Sequence, residues 1–343
     1  MRKCISLAKQ GKNHVEPNPY VGALVYDEKE EKIISTGYHK KFGEAHAEVN
    51  AIKNAKGNTK GKTIVVNLEP CSHFGKTPPC ADLIIKSGFK KAIVGMVDPN
   101  PLVQGNGIKK LKEAGIEVEE NILEKEAKEL NKVFIKNILF KKPYVMLKTA
   151  TTLDGKITDE NENSKWITNE LSRNYVQKLR SSYQAIMTGS GTVIKDNPRL
   201  NVRIKNKKSP IRIIFDPNNK LNFNYDVFKN DGVRIILVNN SDIVTPEHIE
   251  KIKFKNFDTL FKDLYKKNIF SIMVEAGCRL NSVLLKEAEI DEINHFISNK
   301  IFGSGKQFVD IRNKFNIDNC IKPEDLKIKQ FEDNFLINGK IIK

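Results

Sequence analysis

Four residues in the first quarter of the sequence have the types and the spacing of a metal site with an acid–base group beside it. His46 and Glu48 stand two residues apart in GEAHAEVNA, and Cys71 and Cys80 frame the loop CSHFGKTPPC. Where thiols stay reduced, a close pair of cysteines favours metal binding or catalysis over a disulfide. The chemistry to consider first is therefore that of a bound metal ion.

An H-x-E pair with a later P-C…C is the signature of zinc-dependent nucleobase deaminases, in which one His and two Cys hold the ion. By this pattern His46, Cys71 and Cys80 are the expected zinc ligands. Three protein ligands leave the fourth tetrahedral position to a water, whose pKa zinc lowers to about 7. Glu48 is expected to stay off the metal and to carry a proton from that water to the departing amine.

Two other interpretations stay open at this point. A structural zinc site takes four protein ligands, and His73 could supply the fourth, which would make the chain a binding module. Glu48 favours catalysis, because a structural site has no use for an unligated acid. A nucleic-acid base deaminase is the second alternative. Against it, eight residues separate the cysteines instead of the usual two, and signals of RNA-binding modules are missing.

Alternating strand-like and helix-like segments must position these residues. They predict an α/β fold with helices on the faces of a sheet, in which His46 and Cys80 each lie near a helix start. The predicted strands of the first part are VGALVYD, KIISTGYH, TIVVNLEP and KAIVGMVD, and the predicted helices are AHAEVNAIKNA, CADLIIKSG, GNGIKKLKEAG and ILEKEAKELNKVFIKNILF.

A chain of 343 residues predicts about two domains. Lys141, Lys142 and Pro143 break the last of those helices, so the expected domains are 1–142 and 143–343. The second begins with the strand YVMLKTA and continues with the helix TNELSRNYVQKLR and the strands AIMTG, PIRIIFD, VRIILVN, FSIMVEAG and EINHFIS.

Glycine turns after strands are the possible nucleotide-binding feature of the second domain. MTGSGTVIKDNP offers Gly189 and Gly191, but Ile194 stands where a Rossmann fingerprint needs its third glycine. VEAGCRLNSVLL and IFGSGK contain two more such turns. Composition alone favours nucleotide binding and ordinary turns equally.

The composition and charge of the chain limit which other classes of protein it could belong to. A hydrophobic content of 39% with 29% charged residues is ordinary for a globular protein, and no apolar run reaches the length of a membrane span. The segment MRKCISLAKQGKNH lacks a signal-peptide pattern, so we expect a cytoplasmic location. The net charge of +16 could favour an anionic partner, but lysines scattered over loops and helix faces are the simpler explanation.

Longer motifs identify a family. PNPYVG, GYHKKFGEAHAEVNA, LEPCSHFGKTPPC and VGMVDPNP resemble the deaminase half of the bifunctional riboflavin-biosynthesis deaminase/reductase, and LKTATTLDGKI, SKWIT, GSGTVIKDNPRLNVR, VEAG and IFGSG resemble its reductase half. The resemblance implies a cytidine-deaminase-like α/β/α domain followed by a dihydrofolate-reductase-like α/β domain, with Zn²⁺ and NADPH as cofactors.

The implied substrate is a phosphorylated pyrimidine rather than a nucleic acid or a membrane. The ring amine of a diaminopyrimidinone that carries a phosphoribosylamino group is replaced by oxygen, and the ribose is then reduced to a ribityl chain. Members of the family commonly assemble, so a homo-oligomer is expected.

The motif positions also imply binding residues. The deaminase substrate contacts would be Asn18, His39, His73, Lys76, Asp98 and Asn100, with Lys76 suited to the phosphate; turn chemistry is the alternative for Asn18, Asp98 and Asn100. The NADPH contacts would be Ala150, Trp166, Thr192, Asp196, Gly277, Cys278, Arg279, Leu280, Asn281, Ser282 and Val283. The reductase substrate contacts would be Lys148, Asp154, Ser164, Arg180, Leu200, Arg203 and Glu275. Ala150 stands where the family often has glycine, and Trp166 is suited to stacking on a ring.

Overall fold

The computed structural model describes residues 1–12, 14–73, 78–101, 103–287, 289–312 and 315–342. The chain forms two compact units, Met1–Lys141 and Lys142–Lys343, and the division expected from the sequence falls one residue later. Lys141 takes a left-handed conformation with φ 54° directly after the helix Lys132–Phe140. None of the helices in the described ranges is long and apolar enough to cross a membrane.

The described part of the first unit contains a mixed sheet with the strand order β2-β1-β3-β4-β5. The strands are β1 (Gly22–Asp27), β2 (Lys32–Tyr38), β3 (Thr63–Val66), β4 (Lys91–Val94) and β5 (Glu117–Glu119). The strand β1 is antiparallel to both β2 and β3, whereas β3, β4 and β5 run parallel. The helices are α1 (Arg2–Ala8), α2 (Ala47–Asn54), α3 (Cys80–Lys86), α4 (Asn106–Glu113), α5 (Glu124–Leu130) and α6 (Lys132–Phe140), and Lys9–Gly11 is a 3-10 turn.

Helices cover both faces of this sheet. In β3, Ile64 and Val66 pack with α2, α3 and α4, while Val65 packs with Cys4 of α1 on the other face. Burial on both faces explains why β3 is continuously apolar. Gly37 of β2 lets α2 approach closely, because a Cβ there would lie 2.3 Å from the backbone nitrogen of Ala51. This contact places the start of α2 at the end of the sheet.

The described part of the second unit is built on a long sheet with the order β10-β9-β8-β7-β11-β6-β12-β14-β13. Its strands are parallel except for β14, which is antiparallel to β12 and β13. The strands are β6 (Tyr144–Thr151), β7 (Ala185–Gly189), β8 (Ile211–Phe215), β9 (Ile235–Val238), β10 (Ile249–Ile252), β11 (Ser271–Val274), β12 (Glu292–Ile297), β13 (Glu324–Phe331) and β14 (Asn334–Lys340). The helices are α7 (Glu170–Arg180), α8 (Ser190–Asp196), α9 (Phe257–Lys266) and α10 (Cys278–Lys286), and Asp226–Phe228 is a 3-10 turn.

Strand β6 lies in the middle of this sheet and shows how its two faces are covered. Val145 and Leu147 pack with residues of α9 and α10, whereas Met146 packs with Val176 of α7 on the opposite face. The central strands β6, β7 and β11 are parallel and in register, with Val274 opposite both Leu147 and Met187. Their carboxyl ends therefore meet at one edge, which is where α/β sheets bind ligands.

The α/β class predicted from the sequence is confirmed, but one predicted helix is wrong. ILEKEAKELNKVFIKNILF forms two helices, α5 and α6, which are separated at Asn131. The Asn131 side chain accepts the Tyr20 N–H at 2.8 Å and donates to the Tyr20 carbonyl at 3.1 Å. The helix breaks there because this buried side chain is bound to the PNPY loop.

Candidate active sites

The three predicted metal ligands lie together in the first unit. The Nδ1 atom of His46 is 3.4 Å from Cys80 Sγ and 3.7 Å from Cys71 Sγ, and all three ligand atoms lie within 4.8 Å of one another. A tetrahedral zinc ion with ordinary Zn–N and Zn–S bonds would hold nitrogen and sulfur about 3.6 Å apart. The donor set and its spacing therefore fit zinc.

Two helix starts bring these ligands together, as the sequence predicted. His46 is the N-cap residue of α2, and Cys80 is the first residue of α3. The Cys80 N–H donates to Cys71 Sγ at 3.2 Å, and the Ala81 N–H donates to the Cys71 carbonyl at 3.1 Å. The first N–H groups of a helix favour a thiolate close to them, and Cys80 at the start of α3 is the thiol that the sequence places there. The described contact is instead to the thiolate of Cys71.

Glu48 lies in the first turn of α2, two residues after His46, and is 3% exposed. Burial raises the pKa of its carboxyl to about 7, since a charged form is disfavoured away from water. A carboxyl group poised near neutrality can both accept and return a proton. Its position is that of an acid–base group beside the three ligands rather than among them.

His73, the alternative fourth ligand, is exposed. Within the described residues the His/Cys cluster consists of His46, Cys71 and Cys80, and His73 is not a member. This arrangement disfavours the closed four-ligand site of a structural zinc. Lys76, which the sequence assigned to the substrate phosphate, lies outside the described residues.

A short chain of contacts connects two predicted substrate residues to the ligand cluster. Asn18 Nδ2 lies 3.1 Å from His39 Nε2, and His39 Nδ1 lies 3.1 Å from the Ala45 carbonyl. The tautomer with its hydrogen on Nδ1 satisfies both contacts. The His39 ring stands edge-on to the ring of His46, with 5.6 Å between centroids. Burial lowers the pKa of His39, which keeps this ring neutral.

The loop after β4 brings Asp98 and Asn100 to the same region. Asp98 is 8% exposed, and its burial raises the pKa of its carboxyl to about 6. The Asn100 N–H donates to Asp98 Oδ1 at 2.8 Å, so the DPNP turn also has the local structure expected of its composition. Sequence reasoning missed Glu69, whose buried carboxylate binds this loop. Its one signal was an acid directly before the cysteine loop and after an apolar strand.

The second cluster of ionisable groups lies at the carboxyl ends of β6 and β11. Arg180, at the end of α7, donates from Nε to Glu275 Oε1 at 2.6 Å and from Nη2 to Oε2 at 3.0 Å. Lys148 Nζ lies 3.6 Å from Glu275 Oε2. Burial would raise the pKa of Glu275, but the charges of Arg180 and Lys148 outweigh it and lower the pKa to about 2. Burial lowers the pKa of Lys148 despite the neighbouring carboxylate.

The predicted NADPH turn forms the start of α10. Gly277 is its N-cap residue, and a Cβ on Gly277 would lie 3.8 Å from Thr192 Oγ1 of α8. The first N–H groups of a helix have no intrahelical partner and suit phosphate oxygens. The start of α10 therefore lies beside Thr192 of α8.

The side chains of α10 have several roles. Leu280 packs in the core, while Asn281 donates to the carbonyls of Ala276 and Phe308 at 3.2 and 3.0 Å. Ser282 Oγ accepts the Asp310 N–H at 2.8 Å. These three residues hold the helix in place. Of the cofactor contacts predicted in α10, Cys278, Arg279 and Val283 have exposed or partly exposed side chains.

A hydrogen bond between two predicted binding residues connects the SKWIT loop to α8. Ser164 Oγ donates to Asp196 Oδ1 at 3.2 Å, which joins a residue assigned to the substrate with one assigned to the cofactor. The Trp166 ring is 58% exposed, and the guanidinium carbon of Arg173 lies 4.6 Å from its centroid. One face of the indole is therefore covered by Arg173.

The other predicted reductase residues differ in accessibility. Asp154 is occupied within the chain, since its carboxylate accepts the N–H groups of Phe302 at 3.2 Å and Gly303 at 2.8 Å. Leu200 is 4% exposed and packs in the core, so a substrate could reach only its backbone. Ala150 of β6 is half-buried, and Arg203 is exposed.

Two family profiles match the chain. A profile of the cytidine and deoxycytidylate deaminase zinc-binding region matches residues 1–96, and a profile of the RibD C-terminal domain matches residues 143–336. The first match includes the three ligands and Glu48. The second includes every reductase residue assigned above.

The chain is also similar to whole proteins. It is 40% identical over 348 residues to riboflavin biosynthesis protein RibD of Aquifex aeolicus, covering 98% of this chain and 96% of the relative. The corresponding protein of Escherichia coli is 36% identical over 327 residues, covering 89% and 88%. The crystal structure of a Thermotoga maritima diaminohydroxyphosphoribosylaminopyrimidine deaminase/5-amino-6-(5-phosphoribosylamino)uracil reductase matches with a TM-score of 0.88 at 40% identity, over 100% of this chain and 97% of that one. Acinetobacter baumannii RibD matches with a TM-score of 0.87 at 33% identity, over 100% and 98%.

Proposed function

The chain belongs to the RibD family of riboflavin biosynthesis proteins, and we propose that its two clusters of polar residues divide the two reactions of that family between them. The protein is a bifunctional enzyme. It deaminates 2,5-diamino-6-(5-phosphoribosylamino)pyrimidin-4(3H)-one with zinc and then reduces the ribosyl group to ribityl with NADPH. We assign the deamination to the first unit and the reduction to the second.

For deamination, we assign the zinc ion to His46, Cys71 and Cys80, whose spacing fits it. When bound by these residues, the ion would supply a water of lowered pKa. Glu48 takes a proton as the water oxygen bonds to the ring carbon, and it delivers a proton to the amine that leaves as ammonia. The carboxylate is placed for both transfers because it is buried two residues from the ligand His46.

The pyrimidine is assigned to the residues around this cluster. The edge-on contact of His39 with His46 and the contact of Asn18 with His39 support these two as ring contacts. Asp98 and Asn100 are assigned to the polar edge of the substrate from the loop after β4. His73 is exposed in the cysteine loop and is assigned with Lys76 to the phosphoribosyl end.

For reduction, NADPH supplies a hydride. We assign its phosphates to the first turn of α10 and to Thr192, because these donors lie side by side. Trp166 offers one open indole face for stacking and Asp196 is bound to the same loop through Ser164. Lys148, Arg180 and Glu275 are assigned to the sugar, since they form the buried polar cluster at the carboxyl edge of the sheet.

The observation that carries the proposal is the three-membered His/Cys cluster with a buried acid two residues from its histidine. The test is an assay of the full-length chain with the phosphoribosylated diaminopyrimidine, following ammonia release and NADPH oxidation together. We expect ammonia without NADPH, and NADPH oxidation only after ammonia has been released. Oxidation that precedes ammonia, or no ammonia at all, would contradict the assignment.

Two finer expectations are part of the proposal. We place the enzyme in a reducing compartment such as the cytoplasm, because all five cysteines are free and two of them are assigned as zinc thiolates. We also expect a homo-oligomer that acts on a small phosphorylated pyrimidine and not on nucleic acid. Sedimentation equilibrium and a nucleic-acid binding assay at physiological salt would test these points.

A further inference from the structure

Glu69 connects the metal-ligand loop to the loop that carries Asp98 and Asn100. It lies between β3 and Cys71 and is 3% exposed. Its Oε2 accepts the N–H groups of Asp98 and Gly105, each at 3.0 Å. Its own N–H donates to the Met96 carbonyl at 2.9 Å. The side chain and the backbone of this one buried residue thus bind most of the segment between β4 and α4.

The other carboxylate oxygen caps α4. Oε1 accepts the N–H groups of Gly107 at 2.8 Å and Ile108 at 3.3 Å, which are in the first turn of the helix. The N-cap residue, Gly105, has φ 79° and no side chain that could cap the helix itself. A negative charge is favourable at this end of a helix. Glu69 therefore supplies, from a distant part of the chain, the cap that α4 lacks.

The packing allows little freedom in this arrangement. A Cβ on Gly107 would lie 2.0 Å from the Pro70 carbonyl and 3.2 Å from Glu69 Oε1, so the helix start touches the backbone just before Cys71. Since the carboxylate receives four N–H donors, it cannot shift toward one without losing another. The distance between the cysteine loop and the DPNP turn is fixed through this one group.

We propose that Glu69 is a positioning residue for deamination: it sets where Asp98 and Asn100 stand relative to the ligand Cys71. This inference rests on the assignment of the first unit as the deaminase. Glu69 touches neither the metal site nor the substrate in this proposal. It acts through the loop that binds the substrate, so its loss should weaken substrate binding more than it slows the bound reaction.

The variant that tests this is Glu69→Gln in the full-length chain. The amide keeps the size but turns one acceptor into a donor that faces N–H groups, so two of the four hydrogen bonds are lost. We expect the KM for the diaminopyrimidine to rise about 10- to 100-fold, from the usual strength of hydrogen bonds to a charged group. The expected change in kcat is smaller, the zinc content stays at one per chain, and NADPH oxidation with the deaminated pyrimidine is unchanged.

Asp27→Asn is the matched control. Asp27 is also 3% exposed, and it accepts the Lys29 N–H at 3.0 Å in the β1–β2 turn, away from the residues assigned to the substrate. It should leave the KM unchanged even if it lowers the melting temperature. Glu69→Asp keeps the charge on a shorter side chain and should recover part of the affinity lost in Glu69→Gln. It also provides a folded variant if the amide destabilises the first unit.

Three results would overturn the inference. These are an unchanged KM in both Glu69 variants, a loss of zinc in parallel with activity, or an equal rise in KM in Asp27→Asn. The first would make Glu69 a purely structural cap, and the second would place its role in the metal loop. Failure of the proposed function itself is distinguishable, because the wild-type chain would then release no ammonia.

Discussion

Arg180 and Glu275 form a bidentate ion pair in the second unit, with Nε–Oε1 at 2.6 Å and Nη2–Oε2 at 3.0 Å. The remaining Nη1 of Arg180 donates to the Asn201 carbonyl at 3.3 Å. The two guanidinium N–H groups that could bind two phosphate oxygens are therefore already bound to a carboxylate. Arg180 is better suited to fixing the carboxylate of Glu275 than to binding a phosphate.

This pair predicts a specific loss of stability in Glu275→Gln. Both side chains are less than a fifth exposed, at 16% and 13%, and the change leaves Arg180 buried without its counter-charge. Breaking a fully buried pair costs about 3–5 kcal/mol, so the free energy of unfolding at pH 7 should fall by up to about that amount for this largely buried pair. Trp166 is the sole tryptophan of the chain and lies in this unit. Urea unfolding followed by its fluorescence will measure the change.

The same pair predicts how the free energy of unfolding depends on pH in acid. The pKa of Glu275 is lowered to about 2, and an unfolded glutamate titrates at about 4.3. The carboxylate therefore adds stability that is complete above about pH 4.3 and is lost as the pH falls toward 2. The slope of stability against pH in this window should be shallower in Glu275→Gln than in the wild type. Glu250→Gln is the control, because Glu250 forms a more exposed ion pair with Arg234 and its loss should change the free energy of unfolding at pH 7 little. An equal loss of stability in Glu250→Gln and Glu275→Gln would contradict the prediction.

The sequence predicted the strands near the active sites because their periodicity was undisturbed. It did not predict β10, α9 or the hairpin of β13 and β14, which lie in the lysine-rich parts of the second unit. Strand β13 is exposed along almost its whole length, and its apolar alternation is limited to Leu326 and Ile328, which is too short to predict a strand. Helix α9 does bury Phe257, Leu260, Phe261 and Leu264, but the surrounding segment gave no motif to anchor that pattern.

The proximity of candidate site residues could be predicted where short motifs contain them. It could not be predicted where the contact joins distant segments of the chain. The ligands of the metal cluster are within two short motifs, and the structure brings them together. The ion pair between Arg180 and Glu275 joins residues 95 positions apart, and no local sequence pattern predicts such a contact. The buried contacts of Glu69 were hidden for the same reason, because its partners are backbone N–H groups of a later loop.

Glu48→Gln should separate catalysis from metal binding. The amide is close to the carboxylate in shape but cannot take up and return a proton. We expect the kcat of ammonia release to fall about 10²- to 10⁴-fold, the usual contribution of a general acid–base group. Zinc content by elemental analysis and NADPH oxidation with the deaminated pyrimidine should be unchanged. Glu44→Gln, at an exposed neighbour of the same segment, should keep full activity. Unchanged turnover in Glu48→Gln would rule out this role.

Removal of the metal should abolish the deaminase activity but not the reductase activity. Dialysis against a chelator is expected to abolish ammonia release while NADPH oxidation with the deaminated pyrimidine continues, since the cluster lies wholly within the first unit. Cys80→Ser should give the same pattern because it removes a thiolate ligand. Cys4→Ser changes a buried thiol of the same unit that donates to the Val65 carbonyl, and it should retain zinc. Deamination that persists without bound metal would disprove the zinc assignment.

Trp166→Ala should weaken NADPH binding. One indole face is covered by Arg173, and the ring remains 58% exposed, so its other face is open to a cofactor ring. Stacking of this kind contributes about 0.5–1.5 kcal/mol, which predicts a rise of about 2- to 12-fold in the KM for NADPH. Trp166→Phe should lose less. Phe335→Ala, at another exposed aromatic residue of the second unit, should not alter this KM. An unaffected KM in Trp166→Ala would exclude stacking.

Arg203 is the arginine that we expect to contact the phosphate of the reductase substrate. It is exposed, its backbone is fixed by the Gln177 side chain at 3.0 Å, and its guanidinium has no ion pair among the described residues. Arg203→Ala should raise the KM of the reductase for the phosphorylated substrate about tenfold, and added salt should reduce the difference from the wild type. Arg199→Ala is the matched control, because this exposed arginine lies near Asp226 at 3.8 Å. If the two variants raised the KM equally at every salt concentration, the general positive charge of the loop would explain the effect and Arg203 would have no specific role.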